Sequence, residues 1–423
     1  LLRQRSWALR SSGDLAGSVS DLQAMIACAE QAREIKQQVN GLLAVSMFSL
    51  RVDRRACLQA SEDVLAKSQT IEDETFKALV QGTSASVSLY LNGWREQDAA
   101  LCTKALELTA GARNYGTLIR RYSIQGILDC WRSRYPECRR SGAEGKRLAR
   151  AIGDIYTFVL FNVLESIALM HLGEWRELQR EITLGIELAT RNANEPGRAL
   201  SRLTLAWLHV EAMDFEGARD LCESVDDSLL VDEQSTFFHK RTVLAKAFVG
   251  LNDPMQARRQ FDEIQRRMDE HGINVEFTAG IQLYHCFGEY HLLIGDLAQA
   301  RKWADHLHDY VAPAPDRNHL AQAHGLLARI AFAAGDSRDA LRHLSNALEI
   351  VDNADFPLAS WRVYSAAAEI FAQCGETEKA DACLIRFVNV LRRLAQNFEP
   401  NDRLHKSLLT ALAVRTAQSG LAI

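Results

Sequence analysis

The chain has 423 residues, 47% of them apolar and 24% charged, and a net charge of −5. This is an ordinary globular balance that excludes a disordered or collagen-like chain, and the charge is too mild to name a nucleic-acid or membrane partner. Nine cysteines, an odd number with no CxxC pair, read as reduced thiols of a cytoplasmic protein rather than a disulfide framework.

Taken in order, the sequence predicts a series of amphipathic helical hairpins. The first runs from Leu1 to about Gln38, with Trp7 and Leu9 on its apolar face and a turn at Gly13. The second has Leu42, Leu43, Met47 and Phe48 before a glycine-free turn at Arg51-Val52-Asp53-Arg54. The third turns at Gly93, and the fourth at Ser133, with Trp131 before the turn and Pro136 just inside the next helix. The fifth, FVLFNVLESIALMHLGEW, is the most apolar and reads as the buried middle of an array, although Asn162 and Glu165 interrupt it as a membrane span. The sixth and seventh replace the turn glycine by Met213 and Asn252 and keep Asp214 and Asp253 as capping residues. The eighth to tenth turn at Gly295, Gly335 and Gly375, and Asn401 or Asp402 caps a last helix carrying Leu404, Leu408, Leu409 and Leu412.

The spacing of these turns, 38 to 43 residues throughout, is that of a stacked repeat. The residue seven before each anchor is small in all ten units, as at Ser86, Gly126, Ala206, Gly288 and Ala328. The residue five after is Ala, Ser or Cys in eight of ten, with Asp98 and Leu178 as exceptions. Small side chains there let one helix approach the next, and bulky ones would cost roughly 1–3 kcal/mol by overpacking.

A small residue in the first helix, a Gly-Asp turn and an alanine five residues on resemble the tetratricopeptide (TPR) pattern, most clearly in LLIGDLAQARKWADHLHDYV and AFAAGDSRDALRHLSNALEIV. The resemblance implies an all-α, right-handed solenoid of about ten repeats over residues 1–391 and a C-terminal capping segment over 392–423. The period of about 40 exceeds the usual 34 and is similar to the TPR regions of bacterial STAND-type signalling ATPases, including maltose-regulator-like activators and cyclase- or kinase-linked ATPases. With Leu1 already inside a helix, the chain reads as a fragment whose catalytic or sensory domains lie upstream.

No catalytic motif is expected. SGAEGKRL lacks phosphate-loop spacing and has Arg147 where a magnesium-ligating hydroxyl belongs. The late histidine pairs (His285 and His291, His306 and His308, His319 and His324) are not at metal-ligand spacing, and no metal or cofactor is expected. A basic stretch is more informative. Arg120, Arg121, Arg132, Arg134, Arg139, Arg140, Lys146 and Arg147, with Arg113 and Arg150, face three acids. It reads as a solvated helix face, a docking face for an acidic protein surface or, as the least favoured reading, a nucleic-acid grip. Residues 211–233 carry the opposite sign.

In TPR arrays the first helix of each hairpin lines the concave face, which places the residue six before each anchor in the groove. That row runs Val87, Ile127, Ile167, Trp207, then Lys246, Glu289, Arg329, Glu369, with His239, Gln282, His285, Gln322 and Arg362 extending its polar half. The change from apolar to charged suits a ligand with one apolar and one polar end, or else a packing face beside exposed ion pairs. The expected function is a non-catalytic protein-interaction and regulatory scaffold, with a small-molecule or peptide sensor, as in the maltose-regulator type, as the alternative. Protein partners or neighbouring domains are expected, and no membrane.

Overall fold

A computed structural model describes the chain except for residues 13, 51–52, 231–233, 272–276 and 420–423. The described residues form α-helices with one short 3-10 turn, Asp227–Leu230, and no strand. Ten antiparallel hairpins follow one another: α1 (Leu2–Ser11) with α2 (Leu15–Gln31), α3 (Ile35–Ser49) with α4 (Arg54–Ser68), α5 (Glu74–Asn92) with α6 (Glu96–Leu108), α7 (Tyr115–Trp131) with α8 (Tyr135–Ala151), and α9 (Ile155–Leu172) with α10 (Trp175–Arg191). Then come α11 (Glu195–Glu211) with α12 (Phe215–Glu223), α13 (Gln234–Gly250) with α14 (Pro254–His271), α15 (Phe277–Leu293) with α16 (Leu297–Val311), α17 (Arg317–Ala333) with α18 (Ser337–Asp352), and α19 (Pro357–Gln373) with α20 (Thr377–Ala395). A single helix, α21 (Arg403–Ser419), closes the array and packs on α20.

The turns are built by left-handed residues. At the eight described anchors, Gly93, Ser133, Gly173, Met213, Asn252, Gly295, Gly335 and Gly375, φ lies between 52° and 84°. A residue in that conformation lets the next amide reach back to an otherwise unpaired helix carbonyl, as Asp336 N–H does to Ala331 O at 3.0 Å. The following Asp then caps the second helix: Asp214 accepts from Gly217 N–H, Asp253 from Gln256 N–H and Asp336 from Asp339 N–H. The anchors at residues 13 and 51 lie outside the described residues.

The small positions sit where helices cross. A β-carbon on Gly288 would meet Leu326 at 2.6 Å, and Ala206, Ala218, Ala300, Ala328 and Ala340 are fully buried. Asp98 proves to be a shift of register, because the third turn is one residue longer, α6 starts at Glu96, and the buried small residue is Ala99. Leu178 is a true exception and is fully buried.

One expectation needs correction. Helix Ile155–Leu172 is long and apolar enough to cross a membrane despite Asn162 and Glu165, contrary to the sequence reading that they interrupt it as a span. Within the array 78% of it is buried, and its polar interruptions are used internally. Glu165 pairs with Lys146 at 2.6 Å, and the Asn162 amide donates to the Glu181 carbonyl at 3.3 Å.

The array winds tightly enough for repeats five apart to touch. A β-carbon on Gly93 in the third repeat would meet Tyr310 of the eighth at 2.9 Å. In the fourth, the Ser133 hydroxyl donates to Asp316 of the ninth at 3.0 Å. Arg176 of the fifth donates to the Asn397 carbonyl, just beyond the tenth, at 2.8 Å. Asp214 of the sixth receives Arg403 of α21 at 2.7 Å, so the last helix occupies the place an eleventh repeat would take.

Candidate functional site in the lumen of the superhelix

Because the first helices of the hairpins face inward, closing the superhelix turns the groove into a partly open lumen. Its larger compartment, about 170 Å³ of space open to the centres of water-sized molecules, is walled by α3, α5, α7, α9, α11 and α13. Val87, Ile127, Ile167 and Trp207, the apolar half of the predicted row, all line it, and His239 stands beside Trp207 with ring centroids 6.1 Å apart. Burial pushes the His239 imidazole down to about 4, against the effect of its hydrogen bond to the Leu203 backbone, so the ring is neutral at pH 7.

Trp207 separates this cavity from a smaller one of about 20 Å³, lined by Lys246, Gln282, His285, Gln322, Glu211, His171 and His319 among others. The charges there are already spent on one another. Glu211 is 3% exposed and accepts from Trp207 Nε1 at 3.0 Å, Lys246 Nζ at 3.1 Å and Arg362 at 2.7 Å. Burial alone would push its carboxyl up, but Arg362 and then Lys246 outweigh burial and hold it well below the usual carboxylate range.

Glu289 accepts from Arg329 at 2.7 Å and lies 3.8 Å from His285. Burial opposes its ionisation, yet His285, Arg329 and Arg362 bring it down to about 2. His285 itself is pushed by burial down to about 4.

The predicted polar row is therefore brought together only in part. Lys246, Gln282, His285, Gln322 and Arg362 converge near Trp207, whereas Glu369 is taken up by Arg415 of α21 at 2.6 Å. Half of the ten basic residues in the stretch pair with carboxylates in place. Arg134 pairs with Asp129, Arg139 with Glu174, Arg140 with Glu137 and Arg147 with Glu144. Arg120 donates to Asn40 and Arg121 to the Leu106 carbonyl. Lys146 belongs to no surface patch: it is 8% exposed and lies between Glu165 and Glu181, because its helix turns that side onto α9 and α10. Among the described residues no group of three or more His, Cys, Asp or Glu could hold a metal ion.

Sequence reasoning missed a second interior cluster. Asp316, fully buried, accepts from the Ser133 hydroxyl and from His319 N–H at 3.1 Å, and Asn318 contacts His171 Nδ1 at 3.1 Å. His171 in turn stacks on Tyr135 at 4.6 Å. The residues involved lie up to 185 positions apart, so a reading confined to neighbouring repeats carries no signal for them.

No family model and no curated protein matches this chain. Among solved structures, a Rap protein complexed with Competence and Sporulation Factor matches with a TM-score of 0.63 at 12% identity, over 86% of this chain and 100% of that one. The hetero-tetramer Cut9–Hcn1 of the APC/C matches with a TM-score of 0.40 at 12% identity, over 95% of this chain and 94% of that one. A monomeric IFIT1 mutant with Gppp-AAAA gives 0.38 at 13%, over 89% and 87%. The likeness is one of fold, and the chain is an all-α solenoid of TPR type.

Proposed function

We propose that this chain is a non-catalytic regulatory scaffold in which occupancy of the lumen sets the pitch of the superhelix, and so the outer surface offered to protein partners. The observation that carries this reading is the closure itself. Contacts between repeats four or five apart combine hydrogen bonds and ion pairs, Ser133 with Asp316 and Glu211 with Arg362 among them, with ring contacts such as Trp131 with Tyr310, and the array they close holds an apolar cavity. They are sparser than the packing between successive repeats, so the pitch can change while each hairpin stays intact. The Rap structure is an array of this fold complexed with a factor, which supports a ligand-bound state for the fold.

On the resemblance of its long period, the array is further proposed to be the regulatory arm of a bacterial signalling ATPase, cyclase, kinase or transcriptional regulator in the cytoplasm. Its nine free thiols fit a reducing compartment. Nucleic-acid binding is not proposed, because Arg134, Arg139, Arg140, Lys146 and Arg147 of the basic stretch are engaged with carboxylates.

Hydrogen exchange tests the scaffold reading. With the lumen filled, amides around Ser133, Glu211 and Gly173 should all exchange more slowly, although none of the three lines the larger cavity. Protection confined to the lining helices would refute coupling between lumen and pitch.

A further inference from the structure

The two compartments of the lumen differ in what they can hold. The smaller has room for about one water and the larger for roughly a dozen, at about 15 Å³ of centre space each. Only the larger can take a ligand. Among the described residues no Asp, Glu, Lys or Arg side chain lines it, although it adjoins the charged cluster of Glu211, Lys246 and Arg362.

The polar atoms of its wall are largely committed elsewhere. The Trp207 indole donates to Glu211, on the side away from the cavity's apolar wall. Ser86 gives its hydroxyl proton to Thr83 O at 2.7 Å, Thr157 to Asp154 at 2.8 Å and Thr204 to Leu200 O at 2.9 Å. The one imidazole among the described lining residues, His239, is neutral at pH 7; one ring nitrogen is bonded to the Leu203 backbone, and Nε2 is buried without a partner, a polar anchor suited to an uncharged group. A carboxylate or ammonium brought into this space would lose its water and gain no opposite charge. The charges beyond Trp207 are held by Glu211, Lys246 and Arg362 among themselves.

We infer that the lumen binds an uncharged, predominantly apolar small molecule, with a volume equivalent to about a dozen waters, and that it rejects charged analogues of the same skeleton. This rests on the lumen reading above and narrows it. The ligand with one apolar and one polar end that the sequence row suggested is narrowed here to one without charge, because the charged residues of the row are paired with one another and their cavity is small.

The test uses two fluorescent probes with one aromatic frame: neutral N-phenylnaphthylamine and its sulfonate, anilinonaphthalenesulfonate. The neutral probe should bind the full chain with one-to-one stoichiometry, at least tenfold more tightly than the sulfonate. Ile127→Trp, which fills the cavity, should weaken it at least tenfold. Ser123→Phe, a smaller filling on the same helix, should do the same and serves if Ile127→Trp fails to fold by circular dichroism. Equal or tighter binding of the sulfonate would overturn the uncharged class while leaving a ligand-binding lumen in place. Neutral-probe binding that survives both fillings, or no binding of either probe to the folded chain, would overturn the site itself.

Discussion

Arg362 on α19 donates to Glu211 on α11 at 2.7 Å, joining residues 151 positions apart across the lumen. Lys246 holds the same carboxylate from the seventh repeat, so one buried anion ties three repeats together. No pair of successive repeats makes this connection, and it exists only because the superhelix closes.

Arg362→Ala should therefore destabilise the fold and loosen its winding. Removing one partner of a buried ion pair costs about 3–5 kcal/mol, and because Lys246 stays with Glu211 the lower end, about 3 kcal/mol, is expected. Urea denaturation measures this. An effect below about 1 kcal/mol would mean that the contact is dispensable.

The turn glycines separate backbone strain from packing. A β-carbon on Gly335 meets nothing within 4 Å, so Gly335→Ala should cost only the left-handed penalty, about 1–2 kcal/mol. Gly173 has a similar φ, but its β-carbon would meet Leu394 of the tenth repeat at 2.8 Å. Gly173→Ala should cost clearly more, and paired denaturation curves decide between the two effects.

Ser133→Ala removes the hydroxyl that donates to buried Asp316 and accepts from Asn318 N–H at 3.2 Å. Two buried polar groups lose a partner, at about 1–3 kcal/mol in all. Ser133→Cys, which has no branch at the β-carbon for the left-handed φ of 52° to oppose, keeps a weaker hydrogen-bonding group and should recover part of the loss in the same melting experiment.

Acid should unfold the protein earlier than its carboxylates alone would. Burial holds His239, His285 and His324 down to about 4, below the 6.5 of an unfolded histidine. Folding then favours the neutral ring. Stability is full above pH 6.5 and falls as pH drops from there towards 4, on the order of 3 kcal/mol for each group. Glu289, held at about 2, adds a further loss below pH 4.5. His285→Gln should flatten the curve between pH 6.5 and 4, which melting temperature against pH will show.

The architecture was readable because each unit repeats its own punctuation. Glycine or a tolerated substitute at the turn, aspartate at the cap and a small residue at the crossing are local devices, and they place Gly335, Asp336 and Ala340 without reference to anything distant. The same periodicity put Val87, Ile127, Ile167 and Trp207 on one inner face. What the period does not encode is pitch. A small rotation per repeat, summed over four or five repeats, decides whether Glu211 meets Arg362 or Ser133 meets Asp316. Asp98 shows the limit on the local scale, where one extra turn residue moves the buried position to Ala99.

Closure around an occupied lumen is most directly tested by small-angle X-ray scattering on the wild-type chain and Arg362→Ala, each with and without saturating N-phenylnaphthylamine. The account predicts a compact wild type, a larger radius of gyration for Arg362→Ala, and at least partial recompaction of the variant by the probe. Identical radii in all four samples, with probe binding verified by fluorescence, would contradict it.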